Sequence, residues 1–364
     1  MMQTSNKLYK FKEELPLTSG QTLDGFELMV ECYGNLNQEK NNAILLNHAF
    51  SGSHHAAGEH NGTLGWWDDF VGPNKILDTN KFFIVSANNI GSCFGSSGPI
   101  SLDKHGKRYN ADFPEISVKD WVQAQKLLAD KLKIQTWKLV VGGSLGGMQS
   151  LQWAIDFPDM VEKVAIIAAA ATVDSQNIAL NEVEREVIRK DSYFYNGNYY
   201  EHGKVPTKGL KAARMLGHIT YLSAQNMEQR FGRKLQDQQT KLDDTINFEV
   251  ENYLQYQGGK FADVFDANSY ILLTKVMDGF DPSAEYDNNL VKTFKNISAE
   301  MLIISFASDW MFPPARGKEM LKAAIKANKK CSFVEFEGAY GHDSFLYAED
   351  NYPDTISTFL EGKL

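Results

Sequence analysis

Gly142-Gly143-Ser144-Leu145-Gly146 follows the apolar run Trp137-Lys138-Leu139-Val140-Val141 and precedes Gly147 to Phe157, where Met148, Leu151, Gln152 and Ile155 recur near helical spacing. A G-x-S-x-G pentapeptide between a buried strand and a helix describes a nucleophile elbow, a sharp turn that thrusts the serine hydroxyl clear of a sheet. Such a turn strains the serine backbone and leaves no room for side chains beside it, and Gly142, Gly146 and Gly147 meet that need. A glycine-rich turn with a capping serine uses the same letters, so the partners of Ser144 decide the reading.

A serine hydroxyl is a poor nucleophile at neutral pH and needs a histidine base held by a carboxylate. In this architecture the order along the chain is Ser, then Asp or Glu, then His. Asp309 follows the apolar run Met301–Phe306, and His342 follows the alternating run Ser332–Phe336 through Gly338-Ala339-Tyr340-Gly341. Both stand just past the C-terminal end of an expected strand, where open parallel sheets place their sites. The tetrahedral oxyanion of acyl transfer also needs two donors. The backbone N–H of Leu145 is one; by analogy with the fold, the backbone N–H of Phe50, in the loop His48–Gly52 after the short strand Ala43–Asn47, is the other. The Phe50 ring itself reads as packing.

The chain resembles the homoserine O-acetyltransferase family of the α/β-hydrolase superfamily. The resemblance rests on His48–Gly52, Gly65-Trp66-Trp67-Asp68, Leu77-Asp78-Thr79, Gly91–Pro99, Gly142–Gln149, Asn181-Glu182-Val183, Ala213–Tyr221 and Gly341–Leu346. These strings run in order through nearly the whole chain. The resemblance implies an acyl-CoA, most simply acetyl-CoA, as co-substrate rather than a bound cofactor, and L-homoserine as acceptor. Ser144 would carry the acyl group, His342 would serve as base and then acid, and Asp309 would hold the imidazole.

The family's amino-acid clamp maps onto Arg214 for the substrate carboxylate and Asp343 for its ammonium group, with Tyr221 in the same pocket. A guanidinium suits a carboxylate because it offers two parallel donors. Read without the family, Arg214 is a solvated or salt-bridged helix arginine, and Asp343 is equally placed as a partner of the histidine. Two loops depart from the family's commoner form. Phe50-Ser51 stands where many members have Leu-Thr, which makes Ser51 a substrate-binding candidate, and Gly91-Ser92-Cys93-Phe94-Gly95-Ser96-Ser97 replaces Gly-Gly-Cys-Tyr-Gly-Thr-Thr. Both bear on the acyl group and the acceptor, so a succinyl donor or a serine acceptor remains open. A serine esterase would use the same three residues with water as acceptor, and a non-catalytic receptor on this fold is the third reading.

The fold class expected is α/β, an α/β-hydrolase fold with a mostly parallel, doubly wound sheet. Strands are expected at Ala43–Asn47, Phe82–Ser86, Lys138–Val141, Val164–Ala168, Met301–Phe306 and Ser332–Phe336. Ser117 and Asp120 resemble a capping box, opening a helix whose apolar stripe is Trp121, Ala124, Leu128 and Leu132. Between about Thr172 and Ile297 the strand signal gives way to charged amphipathic segments, so residues 1–171 and 297–364 are expected to form the core and 172–296 an inserted helical lid. Arg233 through Asp244 reads as a loop or a solvated helix end. The resemblance implies a homodimer paired through the lid.

With 364 residues, 43% hydrophobic and 23% charged, the chain has the make-up of a soluble globular protein. A net charge of -9 and no basic run argue against a nucleic-acid binder. Cys32, Cys93 and Cys331 are widely spaced, Met1 to Glu14 is polar, and Val164 to Val173 is too short to cross a bilayer, so no membrane partner and a cytoplasmic location are expected. His54, His55 and His60 near Glu59 match no zinc spacing, and no metal is expected. Gly91 to Gly98 lacks the lysine of a phosphate loop and reads as a turn or pocket wall.

Overall fold

Ala43–Asn47, Leu139–Gly143 and Lys163–Ile167 are buried at every position, as strands in the middle of a parallel sheet covered on both faces must be. In the computed structural model, which describes residues 3–60, 62–237, 246–349 and 351–364, they form the centre of an eight-stranded sheet. The strands are β1 (Thr4–Pro16), β2 (Thr22–Tyr33), β3 (Ala43–Asn47), β4 (Phe83–Ala87), β5 (Leu139–Gly143), β6 (Lys163–Ile167), β7 (Glu300–Phe306) and β8 (Cys331–Phe336). Their spatial order is β1-β2-β4-β3-β5-β6-β7-β8. The β1–β2 and β2–β4 pairs are antiparallel, and all the others are parallel.

Alternate residues of each strand feed two cores. Leu45, Val140 and Ile166 meet Trp121 and Leu128 of α1 (Val118–Leu132) and Met148 and Leu151 of α2 (Leu145–Asp156) on one face. Ile44, Val141, Ile167 and Ile304 meet Tyr352, Ile356 and Phe359 of α10 (Tyr352–Leu360) on the other. Ser117 caps α1 by accepting from the backbone of Asp120, whose carboxylate returns the bond.

The sequence reading assigns no strand before Ala43, whereas the structure places β1 and β2 there as an antiparallel edge. β1 is mostly polar, with Lys7, Lys10, Lys12, Glu13 and Glu14 exposed, and Phe11 and Leu15 are its buried residues. Charge on the outward face is how an edge strand resists pairing with another molecule, and it also hides the strand from a search for apolar runs.

From β6 to β7, among the described residues, the chain carries helices and no strand of the sheet: α3 (Ser175–Arg189), α4 (Thr207–Tyr221), α5 (Ala224–Arg230), α6 (Glu249–Ala262), α7 (Ala267–Asp278) and α8 (Leu290–Phe294). Of the polar segment Arg233 to Asp244, residues 238–244 lie outside the described residues; Leu235 makes an isolated bridge to Phe248. The helix α9 (Pro314–Lys326) joins β7 to β8. Among the described residues no helix is long and apolar enough to cross a membrane.

Candidate active site

The turn from β5 into α2 forces Ser144 to φ 57° and ψ −126°, a conformation costly for a residue with a side chain. It is held by its N–H, which donates to Ile167 O at 2.9 Å. The glycines around it are required by close backbone approach. A Cβ at Gly146 would lie 2.2 Å from Asn47 O, and one at Gly142 would lie 2.5 Å from Gly146 O. The end of β3 therefore presses directly against the elbow. A buried polar network locks this contact: Asn47 Nδ2 donates to Ser150 Oγ at 3.1 Å, Gln125 Nε2 donates to Asn47 Oδ1 at 3.1 Å, and Gln149 Nε2 donates to His48 O at 3.2 Å.

The loop after β7 and the loop after β8 deliver the partners. Ser144 Oγ lies 2.8 Å from His342 Nε2, and His342 Nδ1 lies 2.8 Å from Asp309 Oδ2. The other oxygen of Asp309 accepts from the N–H groups of Met311 and Phe312, at 2.9 Å each. An ionised carboxylate accepts only, so Nδ1 carries the hydrogen and Nε2 is left to accept from the serine hydroxyl. Burial pushes the imidazole toward neutrality, but the charge and hydrogen bond of Asp309, with a smaller push from Asp343, outweigh it and raise its pKa above 6.5. All three side chains are buried.

The N–H of Leu145 stands in the first turn of α2, where backbone donors lack intrahelical acceptors. Ala49, Phe50, Ser51 and Gly52 line the same cavity as Ser144. His48 steadies that loop: Nδ1–H donates to Ala49 O at 2.8 Å, and Nε2 accepts from Asn89 N–H at 3.0 Å. Burial pushes its pKa down to about 4, so this imidazole is neutral and structural. The Phe50 ring packs edge-on against Tyr270, with centroids 4.9 Å apart.

The cavity over Ser144 has a volume of about 160 Å³ and is lined by Arg214, Tyr221 and Asp343 as well as by the triad serine and histidine. Arg214 lies on the faces of Phe261 and Tyr221, at 4.4 and 5.1 Å from the ring centroids. Its Nη1 makes only long contacts, 3.4 Å to Ser51 Oγ and 3.5 Å to the Tyr221 hydroxyl, and its Nε is buried without a hydrogen-bond partner. A guanidinium left this way is short of an anion. Burial pushes the Asp343 carboxyl up to about 6, against the pull of His342 and Arg214. Burial likewise lifts the Tyr221 phenol to about 12, which keeps it neutral.

Asn177, Asn181 and Glu184 were not singled out as site residues by sequence reasoning, yet all three line the cavity and are buried. Their spacing along α3 puts them on one helical face, and a polar stripe of that kind is the signal that could have found them. Asn177 Nδ2 donates to Met311 O at 2.7 Å and Asn181 Nδ2 to Asp278 Oδ1 at 2.6 Å, tying α3 to the loop after β7 and to α7. Glu184 accepts from the Tyr270 hydroxyl at 2.9 Å, and burial raises its pKa to about 7.

His54, His55 and His60 belong elsewhere. His55 Nδ1 lies 2.9 Å from the buried carboxylate of Glu31, and His54 Nε2 lies 3.4 Å from Asn6 Nδ2. Among the described residues no group of three or more His, Cys, Asp or Glu side chains is arranged to hold a metal ion. Gly91 to Gly98 forms a turn closed by Gly91 N–H donating to Ser97 O at 2.7 Å, and Cys93 packs half-buried against the core.

Residues 42–349 match the alpha/beta hydrolase fold family. A homoserine O-succinyltransferase from Neisseria gonorrhoeae is 48% identical over 356 residues, covering 97% of this chain and 94% of that protein. The chain belongs to the homoserine O-acyltransferase family of α/β hydrolases. Among solved structures, a homoserine O-acetyltransferase from Bacillus anthracis superposes with a TM-score of 0.91 at 26% identity, covering 98% of this chain and 97% of that one. Esterase E22 superposes with a TM-score of 0.89 at 27% identity, covering 98% and 100%. Members of the homoserine O-acyltransferase family thus share their framework with an enzyme named for hydrolysis, and the groups that surround the serine must separate the two chemistries.

Proposed function

We propose that this protein is an acyl-CoA-dependent homoserine O-acyltransferase working through an acyl-Ser144 intermediate. The observation that carries the reading is the hydrogen-bonded line Asp309–His342–Ser144 ending in a cavity lined by one under-bonded arginine, Arg214, and by the half-buried carboxyl of Asp343. Hydrolysis needs only the line; a zwitterionic acceptor needs the charges as well.

In the first half-reaction His342 Nε2 takes the Ser144 proton as Oγ attacks the thioester carbonyl. The N–H groups of Leu145 and Phe50 stabilise the oxyanion, and the imidazolium returns the proton to the departing thiolate. In the second, the same imidazole takes the proton of the acceptor hydroxyl, which attacks the serine ester, and Ser144 leaves with that proton. Arg214 binds the acceptor carboxylate, Asp343 its ammonium group, and Ser51 and Tyr221, which line the cavity beside Arg214, contact the same substrate. The helices of 172–296 act as a lid that limits water at the acyl-enzyme, over a core of 1–171 and 297–364.

For the acyl group, the acetyl donor suggested by the sequence gives way in our reading to succinyl. Its support is the 48% identity, over almost the full length, to proteins named homoserine O-succinyltransferase, against 26% to the solved acetyltransferase. The experiment is a matrix of succinyl-CoA and acetyl-CoA against homoserine, serine and water, read as CoA release. Fast release without an amino acid would favour the esterase reading, to which the likeness with esterase E22 lends weight.

We also read the lid as the surface through which two copies pair. Ile219, Leu222, Met227, Phe231 and Val250 of the lid, with Trp310 of the loop after β7, line an open apolar groove, and Tyr256 further along α6 and Val264 beyond its end are more than half exposed. The three free cysteines fit a reducing cytoplasm.

A further inference from the structure

The cavity over Ser144 contains one more carboxyl group than a zwitterionic acceptor requires. One arginine, Arg214, lines it together with two carboxyl groups, Asp343 and Glu184, and its charge lowers the pKa of each without a salt bridge to either among the described residues. Asp343 adjoins the base, whereas Glu184 projects from α3. One of its oxygens is fixed by the Tyr270 hydroxyl of α7 at 2.9 Å, and the residue is 5% exposed. A carboxylate buried in the wall of a reaction cavity with one neutral hydrogen-bond donor is costly, so the group is readily protonated and can then donate to a ligand in the cavity.

We propose that Glu184 is a specificity-determining residue that reads the far end of the acyl chain, accepting a carboxylate-ended acyl group when it is protonated and opposing it when it is ionised. This inference rests on the acyl-enzyme reading of Ser144. A succinyl ester on Ser144 carries its carboxylate two methylenes beyond the ester carbonyl, inside the cavity that Glu184 lines. An ionised Glu184 there is a like charge in a water-poor wall; a protonated Glu184 is a hydrogen-bond donor to the same carboxylate. An acetyl ester ends in a methyl group and is indifferent to the change.

The charge state is poised to switch near neutrality. Burial raises the Glu184 pKa to about 7, opposed by the hydrogen bond from Tyr270 and by the positive charges of Arg214 on α4 and Arg185 on α3 itself, while Asp278 of α7 adds to the rise. The Tyr221 phenol of α4 feels the Glu184 charge, and the Asp343 carboxyl lines the same cavity. Below about pH 7 Glu184 is a neutral acid, and above it a carboxylate.

The test is the pH dependence, from 6 to 8.5, of kcat/KM for succinyl-CoA in the burst of CoA release, wild type divided by Glu184→Gln. Glutamine keeps an oxygen for the Tyr270 hydroxyl and stays neutral, and the titration of His342 cancels in the quotient. The quotient should fall by up to about tenfold per pH unit above about 7, the limit set by one proton. With acetyl-CoA it should be level across the range. Tyr270→Phe, which removes a bond that favours the carboxylate, should move the succinyl break to higher pH. A level quotient with succinyl-CoA, the same trend with acetyl-CoA, or no succinyl-CoA turnover at pH 6 would each overturn the proposal. The burst needs no amino acid, so these outcomes are separate from a failure of homoserine as acceptor.

Discussion

Ser144 Oγ lies 2.8 Å from His342 Nε2 although 198 positions of the chain separate the two residues. The parallel run from β5 through β6 and β7 to β8 makes this possible, because every one of these strands delivers its C-terminal end to the same edge of the sheet. Ser144 directly follows such an end, and Asp309 and His342 each sit one short loop beyond one. The alignment depends on the whole sheet rather than on local turns, so the site and the fold should fail together when a strand end is displaced.

The pH profile should report Asp309 directly. His342 must be neutral to accept a proton, so kcat/KM should rise with pH through its raised pKa, which places the acid limb of the wild type above 6.5. Asp309→Asn removes the charge that outweighs burial, and the limb should move to lower pH while the plateau rate falls roughly a thousandfold or more. Rate measurements from pH 5 to 9 check this; an unmoved limb would show that another group sets it.

The elbow should not tolerate even a methyl group at Gly146. The added carbon would meet the Asn47 and His48 carbonyl oxygens at 2.2 and 3.1 Å, and these are backbone atoms that cannot swing aside. Gly146→Ala should cost roughly 3 kcal/mol or more by chemical denaturation and should lower activity in the surviving folded fraction. A loss below about 1 kcal/mol would mean that β3 does not press on the elbow.

Arg214→Leu should separate the two half-reactions. Acylation of Ser144 by acetyl-CoA needs no amino-acid clamp, whereas losing a partly buried charged contact to the acceptor costs about 2–4 kcal/mol, or about thirtyfold to a thousandfold in acceptor kcat/KM. Stopped-flow traces of CoA release should show a preserved burst and a much slower steady state. Normal acceptor kinetics would make Arg214 a packing residue.

What was legible in the sequence follows from how each feature is encoded. The elbow is a local string, and Asp309 and His342 follow apolar runs that announce buried strands, so their order could be read without knowing their contacts. Glu184 and Asn177 escaped because a polar stripe on a helix looks the same whether it faces water or a closed cavity; only the packing of α3 against its neighbours tells the two apart. β1 escaped because edge protection replaces apolar residues with Lys and Glu. The neutral state of His48 is likewise set by its burial, and the acceptor role of its Nε2 is set by Asn89 N–H, which comes from a distant loop.

The apolar groove beside Trp310 should be covered in solution by a second copy. Sedimentation at micromolar concentration should give a dimer, and Ile219→Asp, which charges an exposed position on α4, should shift it toward monomer. A wild-type monomer under those conditions would contradict the pairing.

Covalent catalysis at Ser144 is the centre of the account, and intact-protein mass spectrometry after brief exposure to succinyl-CoA tests it most directly. Wild type should gain the mass of one succinyl group, lose it when homoserine is added and hold it far longer in buffer alone, while Ser144→Ala should fold normally and gain nothing. An adduct on the alanine variant, or an unmodified wild type under conditions where CoA is being released, would contradict it.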